Sequence, residues 1–167
     1  MFSLTGKTIL IIGASRGLGE SLALYLSKND VNIIGVSRSF SRGKFQQFKC
    51  DITDSDQIAQ LTKLLISKKI YVDGLVLNSG VTSESNTSIK KDKVLQSISE
   101  FKKIIDVNLL GIYNVVISIL PLLNKNASIV GISSIGAQMA FPNNPAYQSS
   151  KASMNAMIRA LAIDLAH

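Results

Sequence analysis

Cysteine is scarce in this chain: Cys50 is the only one among 167 residues. A single thiol cannot form an internal disulfide, which fits a reducing compartment. The N-terminal sequence lacks the basic leader of a secretory signal, and its apolar run stops after Ile12 at a glycine-rich turn. We therefore predict a cytoplasmic protein in which Cys50 is a small buried apolar residue.

Long uninterrupted apolar runs are also absent. The most apolar stretch, residues 109–123, is interrupted by Asn114, Ser118 and Pro121, whereas a membrane span needs roughly 18 or more apolar residues. We predict a buried helix there and no membrane partner. Hydrophobic residues make up 46% of the chain and its mean hydropathy is +0.26, which is typical of an ordered globule. Repeats, low-complexity tracts and Pro/Gly linkers are lacking, so we predict a single domain, 1–167.

Acidic residues are few, with 11 Asp and Glu against 18 Lys and Arg. In the first fifty residues only Glu20 and Asp30 oppose seven basic ones. This excess suits an anionic ligand, and a solvated basic surface is the alternative. The aromatic-basic interleaving and the motifs of nucleic-acid binding are missing, so no nucleic-acid partner is predicted. No metal site is predicted either. The seven basic residues are Lys7, Arg16, Lys28, Arg38, Arg42, Lys44 and Lys49.

Short apolar runs rich in β-branched residues alternate with segments whose apolar residues recur at helical spacing. Predicted strands are 7–12, 31–37, 45–50, 72–78 and 127–134, and predicted helices are 17–28, 53–69, 99–123 and 147–166. Thr53 is the expected N-cap of the second helix, with Asp56 completing a near capping box. Continuously apolar strands indicate a parallel sheet covered on both faces. The predicted fold class is α/β, a Rossmann-like doubly wound sheet with strand order 3-2-1-4-5.

A polar residue or glycine lies at or just after the end of each predicted strand, where doubly wound sheets bind ligands. These residues are Gly13, Ser37, Asp51, Asn78 and Ser134. After the first strand, Gly13, Gly17 and Gly19 have the spacing G-x-x-x-G-x-G. Such a turn lets the backbone approach a pyrophosphate at the positive N-terminus of a helix. A tight turn that needs glycine only for its own geometry is the alternative.

Six motifs lie in order along these elements: GASRGLG at 13–19, Asp51-Ile52, NSG at 78–80, Asn108 in DVNLLG, ISS ending at Ser134, and YQSSK at 147–151. Taken in order, these motifs resemble the short-chain dehydrogenase/reductase family over nearly all of the chain. The glycine spacing resembles the compact reductase branch rather than the branch that contains many sugar epimerases. Two positions depart from the usual pattern: Ile12 replaces a common threonine, and Ser79 replaces the alanine of N-A-G.

The resemblance implies a nicotinamide cofactor. The second strand ends at Ser37 and Arg38 with no acid to accept a bond from the ribose 2′-hydroxyl of NAD. Arg16 and Arg38 instead suit the 2′-phosphate of NADP, so we expect NADP(H) in preference to NAD(H). Arg38 as an ordinary surface residue is the alternative. The cofactor-binding residues implied are Gly13, Ser15, Arg16, Gly17, Leu18, Gly19, Arg38, Asp51, Ile52, Asn78, Ser79, Gly80, Tyr147 and Lys151.

Tyr147 and Lys151 are four residues apart, which places them on one helix face. An adjacent ammonium lowers a phenol pKa from about 10, so Tyr147 can exchange a proton with a carbonyl or alcohol oxygen while the cofactor supplies hydride. The resemblance implies that Lys151 also holds the nicotinamide ribose, that Ser134 bonds the substrate oxygen, and that Asn108 anchors a water in a proton relay. The alternatives are a surface pair for Tyr147 and Lys151, a strand-end cap for Ser134, and a helix-bend residue for Asn108.

Family members continue beyond the catalytic helix with a strand, a Pro-Gly turn and a substrate-covering segment. Without these, the strand 127–134 is expected to be an exposed parallel edge. Three interpretations stay open: a fragment of a longer reductase, a short form whose edge a partner subunit covers, or a module that binds NADP(H) without turnover. The resemblance implies a small carbonyl or alcohol substrate, selected mainly by the absent segment and loop 82–99, and a homodimer or homotetramer. A stripe of Ala152, Ala156 and Ala160 is predicted to pack closely on the sheet or another helix.

Overall fold

The computed structural model describes residues 3–83 and 96–166. Within these residues the fold is built on a five-stranded parallel sheet in the order β3-β2-β1-β4-β5. The predicted fold class and strand order are therefore confirmed. The strands are β1 (Thr8–Ile12), β2 (Asn32–Ser37), β3 (Gln46–Lys49), β4 (Val72–Leu77) and β5 (Leu123–Gly131).

The central strand is apolar on both faces because both faces are buried. Ile9 and Ile11 of β1 pack with Ile33 of β2 and with Ala23 of helix α1 (Gly17–Ser27). Leu10 and Ile12 point to the opposite face and are also buried. Burying one such aliphatic side chain stabilises the fold by roughly 1.5–3 kcal/mol. This core fixes the end of β1, where the glycine turn begins.

Helix α2 (Ser55–Ser67) has Asp54 as its N-cap, one residue after the predicted N-cap Thr53. The Asp54 Oδ1 atom accepts bonds from the N–H groups of Asp56 at 3.0 Å and Gln57 at 3.1 Å. The Gln57 Nε2 atom also donates to Asp54 Oδ2 at 2.8 Å, so the Asp54 carboxylate accepts all three bonds of the cap. The Thr53 hydroxyl instead donates to Asp51.

The connection between β2 and β3, residues 38–45, contains eight residues and no helix. A crossover between parallel strands usually needs a dozen or more residues. Here Phe45 covers the sheet itself, packing against the core on the α1 face. Gly35 and Gly43 make room for its ring, because a Cβ atom at either position would collide with it.

β5 begins at Leu123, four residues before the predicted start at 127. Leu123 pairs with Val72, and after an irregular segment Ser128 pairs with Gly74. Asn126, within that segment, has φ = 66°, a left-handed conformation in which asparagine is enriched. β5 lies at the sheet edge as predicted, and Val130 on it is 49% exposed.

The chain is helical from Ile98 to Leu122. Its parts are α3 (Ile98–Ile105), a π-helical turn (Asp106–Gly111), α4 (Ile112–Ile119) and a 3₁₀ turn (Leu120–Leu122). Among the described residues this is the one helix long and apolar enough to cross a membrane. Length and composition are weak evidence for a span, since a buried core helix passes the same test. α4 packs beside α2, and four of its eight residues are buried.

Helix α5 (Pro145–Asp164) starts with proline at a position where its missing N–H costs nothing. Its buried residues are Ala146, Ser150, Lys151 and Met154, and it packs against α3 and the π-helical turn. The predicted packing of the alanine stripe is wrong for the described part of the chain. Ala152, Ala156 and Ala160 are all exposed.

The chain divides into two compact units. The first comprises Met1–Ser79 and Ile112–Ile132, and contains the sheet and the glycine turn. The second comprises Gly80–Gly111 and Ser133–His167, and contains α3, the π-helical turn and α5. Most of the predicted substrate loop, residues 84–95, lies outside the described residues.

Candidate active site

In the first unit, the glycine turn leaves no room for a side chain at Gly13 or Gly19. Gly13 follows β1 with φ = 89°, and a Cβ atom there would lie 2.8 Å from both the backbone nitrogen and the Oγ atom of Ser79. A Cβ atom on Gly19 would collide with the carbonyl oxygen of Gly13. Asn78 braces the turn, since its Nδ2 atom donates to that carbonyl at 2.9 Å. The backbone of the turn is therefore bare and fixed.

Helix α1 begins inside this turn. Gly17 has φ = 59°, and Arg16 is the N-cap but its side chain makes no capping bond. The first-turn N–H groups of a helix that lacks a side-chain cap are ready partners for an anion. Ser15 is partly exposed and Leu18 is 59% exposed beside them. An exposed leucine at this position is available for contact with a ligand.

Arg16 and Arg38 lie at the carboxyl ends of two paired strands. β1 pairs in parallel with β2, with Ile12 opposite Val36. The residues that follow both strands therefore emerge at the carboxyl end of the sheet. Arg16 and Arg38 are both exposed. The Ser37 hydroxyl donates to its neighbour's carbonyl, and an acidic residue is lacking at the end of this strand. The two exposed arginines at this end of the sheet can therefore attract a phosphate.

Asp51 and Ile52 follow β3 in a tight turn. Asp51 Oδ1 accepts bonds from the N–H group and hydroxyl of Thr53, and Ile52 is buried. Burial, and then the charges of Asp51 and Asp54, raise the pKa of Cys50 to about 11. Cys50 is therefore a neutral buried thiol at physiological pH, as predicted.

In the second unit, Asn108 lies in the middle of the π-helical turn and is fully buried. Its Oδ1 atom accepts the Val81 N–H at 2.7 Å, and its Nδ2 atom donates to the Val81 carbonyl at 2.9 Å and to Ser150 Oγ at 3.0 Å. Both amide hydrogens are thus used within the protein. π-Helical turns often occur at functional sites. Because these three bonds hold Asn108 to Val81 and Ser150, the residue has a structural role at the helix irregularity.

Tyr147 and Lys151 share one face of α5. The Lys151 Nζ atom lies 5.9 Å from the centre of the Tyr147 ring. Lys151 is only 3% exposed, and this burial lowers its pKa. Tyr147 is partly exposed. The structure thus combines a buried amine with an accessible phenol, which differs from an ordinary surface pair.

Ser134 is the N-cap of a 3₁₀ turn (Ile135–Ala137), where its Oγ atom accepts the Gly136 N–H at 3.1 Å. The capping interpretation therefore holds, yet a hydroxyl that accepts one bond can still donate its proton. This turn packs against α5. A Cβ atom on Gly136 would meet Gln148 Cγ at 3.4 Å, so the turn lies directly beside the residue that follows Tyr147.

The Lys151 amine and the Asn108 side-chain amide both lie close to Gly80. A Cβ atom at Gly80 would lie 3.5 Å from both Lys151 Nζ and Asn108 Oδ1. These two polar atoms therefore border one space in the second unit. Sequence reasoning missed Val81 and Ser150 as partners of Asn108. A backbone partner carries no sequence signal, and Ser150 was hidden within the motif YQSSK.

Four predicted catalytic residues, Asn108, Ser134, Tyr147 and Lys151, thus belong to the second unit. The predicted cofactor residues from Gly13 to Ser79 belong to the first, and Gly80, Tyr147 and Lys151 to the second. Groups of three or more metal-ligating side chains do not occur among the described residues.

Residues 7–167 match the family model described as short chain dehydrogenase. The chain is 29% identical to the 3-oxoacyl-(acyl-carrier-protein) reductase FabG of Thermotoga maritima over 98% of its own length and 70% of the relative's. It is 32% identical to an uncharacterized oxidoreductase, YIR035C, of Saccharomyces cerevisiae, over 94% of its length and 65% of the relative's.

Solved structures agree. The ligand-free aldohexose dehydrogenase of Thermoplasma acidophilum superposes with a TM-score of 0.85 at 28% identity, over 96% of this chain. This chain spans 62% of that protein's chain. Each of these three relatives therefore extends beyond the region that matches this chain.

Proposed function

Since the chain belongs to the short-chain dehydrogenase family, whose similar members are oxidoreductases, we propose that it interconverts a carbonyl and a secondary alcohol by hydride transfer with NADP(H). One observation carries this proposal: buried Lys151 lies beside the accessible ring of Tyr147 on α5. An ordinary helix surface keeps a lysine in water. A lysine held inside the protein next to a phenol suits proton exchange.

The glycine turn fits the cofactor because it leads into α1, whose first-turn N–H groups have no side-chain cap and can bind a phosphate. The collisions that a Cβ atom would make at Gly13 or Gly19 are with the protein itself, so those two glycines serve the geometry of the turn. We propose that residues 13–19 hold the pyrophosphate, that Arg16 and Arg38 hold the 2′-phosphate, and that Asp51 and Ile52 contact the adenine. Asn78, Ser79 and Gly80 would border the cofactor farther along, with Tyr147 and Lys151 on the nicotinamide ribose. When bound, this cofactor supplies or accepts the hydride.

Tyr147 is the proposed general acid and base. In reduction its hydroxyl gives a proton to the substrate oxygen as the substrate carbon gains hydride, and in oxidation the phenolate takes that proton back. The Lys151 ammonium favours the phenolate because opposite charges attract. The lowered pKa of Lys151 also makes its own proton easier to release to the relay.

Ser134 and Asn108 have supporting roles in the proposal. Ser134 Oγ accepts a backbone N–H, which leaves its own proton available for a bond to the substrate oxygen. Asn108 has no amide hydrogen to spare, but Oδ1 can accept a second bond. Because Oδ1 and Lys151 Nζ border the space next to Gly80, a water accepted there would connect to the amine.

The test is the consumption of NADPH with a panel of aldehydes and ketones. We expect turnover by the wild type and a loss of about 10²–10⁴-fold in Tyr147→Phe. Tyr113→Phe is the matched control, because Tyr113 is an exposed tyrosine on α4, and it should keep full activity. Equal activity of Tyr147→Phe and wild type would refute the acid-base role. Tight NADPH binding without turnover would instead support the alternative of a binding module.

The cofactor preference has its own test. In Arg38→Gln the NADPH affinity should fall about tenfold, while NADH affinity stays unchanged, because one charge-assisted contact to the 2′-phosphate is lost. Titration of cofactor fluorescence measures both affinities. Equal binding of NADH and NADPH by the wild type would overturn the preference.

The remaining parts of the proposal concern the whole protein. We propose a cytoplasmic, single-domain protein with a small carbonyl or alcohol substrate, assembled as a homodimer or homotetramer. The similar proteins support only this substrate class, because they include a benzil reductase and a fatty acyl-CoA reductase as well as an aldohexose dehydrogenase. Light scattering measures the assembly state, and a monomer would contradict that part.

A further inference from the structure

One side chain bonds the backbone of two residues in the short connection between β2 and β3. Gln47 lies on β3, and its Oε1 atom accepts the Ser41 N–H at 2.7 Å. Its Nε2 atom donates to the carbonyl oxygens of Ser41 at 3.3 Å and Gly43 at 3.0 Å. The Ser41 hydroxyl also accepts the Gly43 N–H at 2.8 Å. Gln47 therefore binds the residues on both sides of Arg42 and fixes the backbone there.

This arrangement brings Arg42 next to the first turn of α1. The Arg42 N–H donates to Glu20 Oε1 at 3.4 Å, and Glu20 lies in that first turn. Arg16 is the N-cap of the same helix, and Arg38 follows β2, the strand paired with β1. All three arginine side chains are exposed. Arg16 and Arg38 thus follow two paired strands near the start of α1, and the Arg42 backbone is bonded to Glu20 in the first turn of that helix.

We infer that Arg42 is a further specificity-determining residue for the phosphate on the cofactor ribose, and that Gln47 is the residue that positions it. This inference rests on the proposed preference for NADP(H). The planar guanidinium matches the geometry of phosphate oxygens, and its bonds to phosphate are charge-assisted. Ordering a mobile loop weakens binding, so a loop already fixed by the three side-chain bonds of Gln47 favours binding.

Arg42→Gln and Gln47→Leu test the two parts of the inference. NADPH and NADH are titrated against each variant at low ionic strength. We expect Arg42→Gln to weaken NADPH binding about tenfold and leave NADH binding unchanged. Gln47→Leu keeps the net charge, yet it should weaken NADPH binding about fivefold with NADH unchanged, because it releases the Arg42 backbone. The double variant should bind NADPH no more weakly than Arg42→Gln, since Gln47 acts through Arg42.

The chain offers matched controls for both substitutions. Gln46 and Lys44 line a cavity with Thr8 and Asn32, which are the first residues of β1 and β2, at the opposite end of the strands. Gln46→Leu repeats the change of Gln47→Leu on the adjacent residue, and Lys44→Gln removes one positive charge from the same connection. Both controls should leave the affinity ratio of NADPH to NADH unchanged.

The outcomes separate this inference from the proposed function. If Arg38→Gln loses the NADPH preference while Arg42→Gln keeps it, the inference is wrong and the proposed function stands. If the wild type has no preference, the proposed preference for NADP(H) fails and this inference fails with it, while the proposed hydride transfer is tested separately by Tyr147→Phe. An equal loss of both cofactors in Gln47→Leu, or additive losses in the double variant, would overturn the positioning role. Arg42→Gln changes an exposed side chain, so it is decisive even where Gln47→Leu unfolds.

Discussion

Replacing Asn108 with alanine removes three hydrogen bonds from the interior of the second unit. Two connect the side chain to the N–H and carbonyl groups of Val81, and the third connects it to Ser150 Oγ. Each bond contributes about 0.5–1.5 kcal/mol net, and the Val81 groups would lose the partner that the side chain supplies. We therefore expect Asn108→Ala to lower the free energy of unfolding by about 3 kcal/mol.

The assay is urea unfolding of three variants under identical conditions. Ser150→Ala removes one bond to Asn108 and one to the Tyr147 carbonyl, and should cost about 1–2 kcal/mol. Asn114→Ala is the control, because Asn114 is partly exposed and donates to Ser55 at 3.1 Å, and it should cost at most about 1 kcal/mol. The reasoning is refuted if Asn108→Ala costs no more than Asn114→Ala.

Two further predictions concern the glycine turn and the pH dependence of stability. Gly19→Ala should destabilise the protein by about 3 kcal/mol and abolish NADPH binding in a titration, since the new methyl collides with Gly13. Gly6→Ala is the control: a Cβ atom there meets open space, so at φ = 73° it should cost about 1 kcal/mol and leave NADPH binding intact. The Thr8 N–H foremost, with the side chains of Asn124 and Lys7, holds the pKa of Asp73 below its usual value. The stabilisation by ionised Asp73 is thus complete above pH of about 4 and is lost as the pH falls through the lower folded-state pKa. The stability difference between wild type and Asp73→Asn should shrink below that pH, and a difference that grows on acidification would contradict the assignment.

The order of strands could be predicted because few topologies join alternating strands and helices with right-handed crossovers. The cap of α2 was missed by one residue, since Thr53 and Asp54 both precede the helical pattern and only the structure shows which side chain bonds the first turn. The π-helical turn was missed because one extra residue per turn hardly changes the spacing of apolar residues. The early start of β5 depends on its pairing with Val72, which is a long-range contact.

For the candidate site, helical spacing was enough to predict that Tyr147 and Lys151 share a face. The burial of Lys151 was beyond the sequence, because it depends on how α3 and the π-helical turn pack on α5. The role of Gln47 was likewise beyond the sequence. Gln47 bonds the short connection because the sheet register places it opposite Gly35, on the α1 side of the sheet. The exposed alanine stripe shows the converse: small residues permit close packing, and they do not require it.

Transfer of the cofactor's hydride to a carbonyl carbon is the central claim, and isotope labelling measures it directly. NADPH deuterated at the transferable position of the nicotinamide would be incubated with the protein and a ketone, and the alcohol analysed by mass spectrometry. We predict that the alcohol carries the deuterium on its carbinol carbon, and that Tyr147→Phe yields almost none. Bound NADPH with no deuterium in the product, across the whole carbonyl panel, would contradict the account.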